Sequence, residues 1–250
     1  MTRPTTRLHL EMQPQPDDFT CGPTCLQAVY RYFGDDIPLQ RVIDEARTIE
    51  PSGTIAVMLG LHALRRGYSA TIYTYNLHMF DPTWFELEPE LLPRKLRLQA
   101  EAKKDDQRLR LATDAYIEFL RLGGWLNFED LTSRLLRRHL SAGRPILTGL
   151  SATYLYRCAR EYGPNDDYDD VRGQPSGHFV VLCGYDKLNR KVTIADPLAD
   201  NPASMPHLYD VPMARIVNAI LLGILTHDAN LLVIEPPATG VEDVGAEASS

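Results

Sequence analysis

Asp18-Phe19-Thr20-Cys21-Gly22-Pro23-Thr24-Cys25-Leu26, continued by Gln27-Ala28-Val29-Tyr30-Arg31-Tyr32-Phe33-Gly34, is the stretch on which the reading of this chain turns. Leu26, Val29, Tyr30 and Phe33 recur at helical spacing, Pro23 suits a first helical turn, and Gly34 sits where a left-handed C-terminal cap belongs. The spacing predicts an amphipathic helix with a thiol at its N-terminal mouth. Free N–H groups and the positive end of the helix dipole favour an anion there, the setting in which cysteines become nucleophiles. Cys25, one turn further along the apolar stripe, reads as a core residue. Gly22 beside the thiol is expected to leave room for an approaching chain.

Working outward, Leu8, Leu10 and Met12 alternate with polar residues, which predicts a short strand leading into Pro14-Gln15-Pro16. That loop would deliver Gln15 to the helix mouth; Gln13 is a second candidate whose offset from Cys21 fits less well. Far along the chain, His178-Phe179-Val180-Val181-Leu182-Cys183-Gly184 is a nearly continuous apolar run, as expected of a strand buried on both faces. Lys191-Val192-Thr193-Ile194-Ala195-Asp196 follows after a turn over Tyr185 to Arg190, making a hairpin. With Leu182 opposite Val192 and Val180 opposite Ile194, His178 would lie directly opposite Asp196 on one face. Cross-strand Cβ atoms at such a site are about 4.5–5.5 Å apart, within reach of a carboxylate–imidazole hydrogen bond. A slip of one residue would separate the pair onto opposite faces.

Composition limits the classes of function. The chain has 250 residues, enough for a full core, and a net charge of −7, which gives no support for a nucleic-acid partner. The N-terminal residues lack the apolar core of a secretory signal, and the longest apolar stretch, Ala219 to Leu225, falls well short of the ~20 residues of a membrane span. The cysteines at 21, 25, 158 and 183 make neither a disulfide framework nor a zinc-binding pattern, so free thiols in a cytoplasmic setting are expected, with no metal or other cofactor.

The remaining segments organise as follows. Asp35 to about Arg47 and Ser52 to Arg66 read as helices, the second carrying His62 as a packed or surface residue, and Tyr68 to Tyr75 as a strand. Prolines at 82, 89 and 93, then Leu109, Ala112, Tyr116 and Phe119 at helical spacing, predict a helical insertion from about Met79 to Gly124 beside the main core. Its basic residues Arg94, Lys95 and Arg97 form a solvated face or a docking face for a protein partner. Asn127 is expected to cap a helix running to Ser141. The loop Tyr162 to Gly177 carries Asp166, Asp167, Asp169 and Asp170 without the ligand spacing of an EF-hand, and either borders a substrate cleft selective for amines or is merely exposed. Asp200 to Pro212 reads as a proline-rich loop with His207 on the surface, and His227-Asp228 as a turn. Residues 1–235 are expected to form one domain and 236–250 a disordered acidic tail.

Taken together, Gln15 with Thr20-Cys21-Gly22-Pro23-Thr24-Cys25-Leu26, then Gly177-His178-Phe179-Val180-Val181 and Ile194-Ala195-Asp196-Pro197, resemble the papain-like cysteine peptidases, most closely the bacteriocin-processing family that cleaves after double-glycine leaders. The resemblance implies an α+β, papain-like fold with the Cys21 helix packed on an antiparallel sheet. It implies Cys21 as nucleophile, His178 as base, Asp196 as orienter and Gln15 in the oxyanion hole of a peptidase acting on a peptide or protein. Many members have aspartate immediately before the cysteine, where this chain has Thr20. Their membrane-spanning and ATP-binding regions have no counterpart here. An acyltransferase using the same thioester chemistry and an inactive papain-like binding module are the alternatives.

Overall fold

The Cys21 stretch forms the helix its spacing predicts, α1 (Cys21–Tyr32), with Gly34 at φ +83° beyond its C-terminus. The computed structural model describes residues 5–46, 54–226 and 229–237. Ahead of α1 lies β1 (Thr5–Arg7). After it come α2 (Leu39–Glu45), α3 (Ala56–Arg65), β2 (Ser69–Thr74), two 3-10 turns, α4 (Leu92–Ala102), α5 (Gln107–Arg121), β3 (Trp125–Asn127), α6 (Ser133–Ser141), β4 (Ile146–Ser151) and α7 (Ala152–Tyr156). The chain continues through the two-residue strands β5 (Glu161–Tyr162) and β6 (Asp167–Tyr168), then β7 (Gly177–Asp186), β8 (Lys191–Ala195), β9 (Leu208–Pro212), α8 (Met213–Leu222) and β10 (Asn230–Glu235).

One sheet runs in the order β3-β2-β10-β4-β7-β8-β9, with β1 also pairing with β7. Its ladders are antiparallel except that between β2 and β3. Both faces are covered. Phe179, Val181 and Cys183 of β7 join a core cluster with Leu26 and Val29 of α1, Leu59 of α3 and Phe119 of α5. Val180 and Leu182 join another with Leu135 of α6, Leu155 of α7 and Ile216 of α8. This two-sided burial is the physical reason β7 reads as an unbroken apolar run, where an antiparallel strand with one wet face would alternate. The helices of 92–121 share the α1 core through Leu96, Leu109, Tyr116 and Phe119.

The β7–β8 register differs from the expected one. Leu182 pairs with Ile194 and Val181 with Ala195, two residues away from the expected alignment. The connecting loop is tighter than supposed: Asp186 already pairs with Lys191, and Arg190 takes a left-handed conformation at φ 52°. Counted from that turn, an unbroken ladder would set Val181 opposite Asp196 and turn His178 to the other face. A β-bulge between Leu182 and Gly184 prevents this, with Cys183 as the extra residue. Past the bulge the count shifts by one, so His178 and Asp196 fall on the same face, diagonal to one another. Gly184 makes the bulge possible: a Cβ there would stand 2.8 Å from the Thr6 carbonyl oxygen and 3.0 Å from Thr193 Oγ1. The Cys183 carbonyl is satisfied by the Leu8 N–H at 2.7 Å.

Other local expectations are corrected as well. The N-terminal strand is Thr5–Arg7, and Leu8 to Met12 runs on without regular structure. Asn127 ends a strand, and α6 is capped by Thr132, whose Oγ1 accepts from the Leu135 N–H at 3.2 Å. The second half of the segment 200–212 is the edge strand β9, with Tyr209 and Val211 buried and Asp210 exposed. Residues 1–4, 47–53, His227-Asp228 and 238–250, which include the end of one expected helix, the start of the next, the histidine–acid pair and nearly all of the acidic tail, lie outside the described residues.

Candidate functional site

Cys21 is the first residue of α1 and is half-buried. The helix mouth has been left electrostatically open: no side chain caps it and its first turn carries no acidic residue. Its N-terminal N–H groups and the positive end of its dipole are therefore available to an anion at the thiol. Pro23 costs nothing there, because the N–H it lacks would have had no partner inside the helix. Gly22 serves packing. A Cβ at this position would meet Leu59 Cδ1 at 3.2 Å and Phe179 Cδ2 at 3.4 Å, so the missing side chain lets α1 approach α3 and β7 and does not open onto a substrate path. Cys25 is fully buried, its thiol donates to the Phe179 carbonyl at 3.3 Å, and burial pushes that thiol up. It belongs to the core.

His178 and Asp196 meet as the register allows. The imidazole Nε2–H donates to Asp196 Oδ1 at 2.9 Å, and Cys21 is close enough to influence the imidazole electrostatically. With Nε2 engaged by the carboxylate, Nδ1 is the nitrogen left for the thiol. Asp196 is fully buried and His178 is nearly so. Burial alone would push the imidazole down; the hydrogen bond to Asp196 and its charge, with a further contribution from the nearby Cys21, outweigh it and raise His178 to about 10. For Asp196 the balance is the reverse. Burial would raise the carboxyl, but the His178 hydrogen bond and charge, the Tyr209 hydroxyl and the Leu198 N–H hold it below the usual carboxylate range. The two shifts agree in direction: each partner favours the charged form of the other.

Gln15 reaches the same region. Its backbone N–H donates to the Pro197 carbonyl at 2.9 Å, which ties the loop before α1 to the residue after Asp196. The side-chain Nε2 donates one hydrogen to the Asp17 carbonyl at 2.8 Å, leaving its second hydrogen free to point elsewhere. In the loop ahead of β7, half-buried Glu161 is pushed up chiefly by burial and also by Asp166 and Asp18. Asp169 in the same loop is consumed locally, accepting from Arg172 Nε at 2.6 Å and from the N–H groups of Val171 and Arg172. Among the described residues no group of three histidine, cysteine, aspartate or glutamate side chains could hold a metal.

Three residues at the site escaped the sequence reading. Tyr156, at the end of α7, and Tyr209, on β9, donate their hydroxyls to Asp196 Oδ2 at 2.8 and 2.6 Å. His207, expected at the surface, has its Nδ1 2.6 Å from the Asp196 carbonyl oxygen, while the Asp196 N–H donates to the His207 carbonyl at 2.8 Å. The alternation Leu208-Tyr209-Asp210-Val211 was the available signal for β9, masked by the prolines around it. No such signal marked Tyr156.

A helix bearing a thiol at its mouth, packed on an antiparallel sheet that presents a histidine–carboxylate pair, is the architecture of the papain-like cysteine peptidases. A structure described as a C39-like peptidase from Bacillus anthracis matches with a TM-score of 0.51 at 13% identity, over 93% of this chain and 98% of that one. The model of the Peptidase_C39 like family matches residues 115–218, the segment that carries His178 and Asp196. Xylellain, a cysteine protease from Xylella fastidiosa, matches over 94% of this chain and 87% of its own, at 16% identity and a TM-score of 0.47. A double glycine motif protease from an AMS/PCAT transporter, solved with a leader peptide, matches over 92% of this chain and 94% of its own, at 14% identity and a TM-score of 0.44. No curated protein sequence matches the chain. Among the described residues no helix is long and apolar enough to cross a membrane.

Proposed function

We propose that the protein is a thiol-dependent peptidase that hydrolyses an amide bond in a peptide or protein, with Cys21 as nucleophile, His178 as acid and base, Asp196 as orienter and Gln15 as an oxyanion donor. The observation that carries this reading is the 2.9 Å hydrogen bond between His178 and the buried Asp196, on a sheet against which the uncapped helix that begins at Cys21 is packed. The fold shared with the C39-like peptidase and the family match over residues 115–218 support it.

The chemistry follows from the positions. The Cys21 Sγ, its proton held on His178, attacks the carbonyl carbon, and the electron pair moves to the carbonyl oxygen. The Cys21 N–H and the second hydrogen of Gln15 Nε2 stabilise that oxyanion. His178 gives its proton to the departing amine nitrogen as the C–N bond breaks, leaving a thioester. Water then attacks the thioester with His178 taking its proton, and the acid and the thiol are released. Asp196 stabilises the imidazolium and fixes the tautomer throughout.

The test needs no natural substrate. Alkylation of Cys21 by iodoacetamide, followed site by site by mass spectrometry against pH, should be fast below about pH 7, where ordinary thiols near pKa 8.5 are almost fully protonated. Half-buried Cys158, which burial pushes up, is the internal reference. If Cys21 reacts no faster than Cys158 across the range, the peptidase reading is wrong and the fold is serving as a binding module.

Gln15→Ala separates two parts of the mechanism. Alkylation by a thiolate builds no oxyanion, so its rate at Cys21 should stay within about twofold of the parent. Turnover of a fluorogenic peptide amide should fall by ~10²–10³ in kcat, the usual cost of one oxyanion donor. An equal fall in both rates would mean that Gln15 acts on the thiol and not on the oxyanion.

A further inference from the structure

Asp196 holds more hydrogen bonds than the orientation of one imidazole requires. Oδ1 accepts from His178 Nε2 at 2.9 Å and from the Leu198 N–H at 3.0 Å; Oδ2 accepts from the Tyr156 and Tyr209 hydroxyls at 2.8 and 2.6 Å. The tyrosines come from different layers of the fold, Tyr156 from the end of α7 and Tyr209 from the edge strand β9. Both rings are buried in the same apolar cluster as Val180 and Ile194.

We propose that Tyr156 and Tyr209 are a pair of positioning residues that keep the Asp196 carboxylate ionised and fixed in one orientation, so that Oδ1 faces His178 while Oδ2 is closed off. This rests on the peptidase reading above. A carboxylate taken fully out of water keeps its charge only if hydrogen-bond donors replace the lost hydration. His178 and the Leu198 N–H supply that for one oxygen. For the other, the replacement consists of the two phenols. Burial, with the carboxylate's own charge beside them, pushes both phenols up, so each retains its proton and donates. The geometry also restrains rotation, because tilting the carboxylate to relax one side lengthens a bond on the other. The remaining titratable groups near Asp196 do not offer a substitute. Cys21 is a thiol and bears on the imidazole, Cys25 donates to the Phe179 carbonyl, and the His207 ring meets the Asp196 main-chain carbonyl.

Removing a hydroxyl leaves a buried acceptor short of a donor and raises the carboxyl's affinity for a proton. Protonated Asp196 no longer stabilises the imidazolium, so Cys21 should lose its reactivity at a higher pH than in the parent. The experiment is the pH profile of Cys21 alkylation by iodoacetamide in the parent, Tyr156→Phe, Tyr209→Phe and the double variant, with kcat and KM on a fluorogenic peptide amide. The control is Tyr185→Phe, another buried ring of the same cluster. The double variant should move the acid limb upward by about one pH unit, lowering the rate by ~10-fold at pH values well below that limb, with each single variant near half of that shift. The loss should fall on kcat with KM changed less than about twofold, and the Tyr185 variant should keep the parent profile.

If the parent Cys21 is activated and the Tyr156 and Tyr209 variants keep its acid limb, the positioning role is refuted while the peptidase reading stands. A matching shift in Tyr185→Phe would also refute it, since the effect would then be one of packing. Should the double variant not fold, the two single variants decide on the same criterion. If the parent Cys21 shows no activation over Cys158, the peptidase reading fails first and the positioning role falls with it.

Discussion

Replacing His178 with alanine should lower Cys21 alkylation at about pH 6 by ~10²-fold, to the level of an ordinary thiol, and peptide hydrolysis by at least ~10⁴-fold. The first figure is arithmetic. A thiol of pKa near 8.5 is ionised to about one part in 300 at pH 6, and the lower intrinsic nucleophilicity of an ion-paired thiolate takes back part of that advantage. The second is larger because the imidazole is also the proton donor to the departing amine, a role alkylation does not use. Local structure allows this loss to be read as chemistry. Without His178, the Asp196 carboxylate loses its counter-charge but still accepts from the Leu198 N–H and from the Tyr156 and Tyr209 hydroxyls, so most of its hydrogen bonding survives. The cost in stability should stay at about 1–3 kcal/mol, checked by urea unfolding. If His178→Ala is well folded and Cys21 still alkylates at the parent rate, the thiol is not activated by this imidazole.

What was legible in the sequence, and what was not, divides by range of interaction. The Cys21 helix, its Gly34 terminus and the apolar strand after His178 are local patterns, written in spacing and in the burial each residue type demands. The pairing of His178 with Asp196 was reached by a count that was wrong by two residues. It survived because side chains alternate with period two and an even error preserves the face. The count failed at the turn, where Asp186 rather than Gly184 pairs close to the loop, and at Cys183, where the bulge absorbs one residue. A bulge has little signature beyond a glycine that could equally mark a turn, and Gly184 was read as the latter's edge. Gly22 was misread for a related reason. A missing side chain signals close approach of something, and only the packed structure shows that Leu59 and Phe179 are what approach.

The tyrosines on Asp196 mark the limit of such reading. Tyr156 is separated from Asp196 by forty residues and reaches it through a separate helix. No periodicity ties the two together. Tyr209 lies in an alternating segment that the flanking prolines disguised as loop, although prolines at the ends of an edge strand are common. The inner ring of a site can thus be inferred from chemistry that requires certain residue types. The groups that hold that ring in place are chosen by packing from several elements at once, and any phenol at the right point in space would serve.

Asp196 offers the sharper separation of charge from support, through a pair of substitutions. In Asp196→Ala, the Tyr156 and Tyr209 hydroxyls, the Leu198 N–H and the His178 Nε2–H all lose their acceptor at a fully buried position. Each unsatisfied buried donor costs about 1–3 kcal/mol, less where the site relaxes or admits water. The expected outcome is a loss of ~3–5 kcal/mol in stability, together with the loss of Cys21 activation. Asp196→Asn keeps the shape and can keep a hydrogen bond at each contact, with the two phenol hydrogens turned elsewhere. Its Oδ1 can accept from His178 and Leu198 while its amide hydrogens meet the two phenol oxygens, which accept as readily as they donate. Stability should then stay within about 1 kcal/mol of the parent. The charge is gone, however, and burial, the largest influence on His178, then acts with less opposition. A neighbouring carboxylate typically moves such a group by about 1–3 pH units, so the alkaline limb of peptide turnover, which needs the imidazole proton, should fall by that amount in the Asn variant. Because a papain-like site can run on a neutral orienter, turnover near about pH 6 should persist in Asp196→Asn at a reduced rate while Asp196→Ala shows none. Equal losses in the two variants, with equal stability, would mean that Asp196 contributes charge alone and that the tyrosine-lined pocket around it has no part in holding the imidazole.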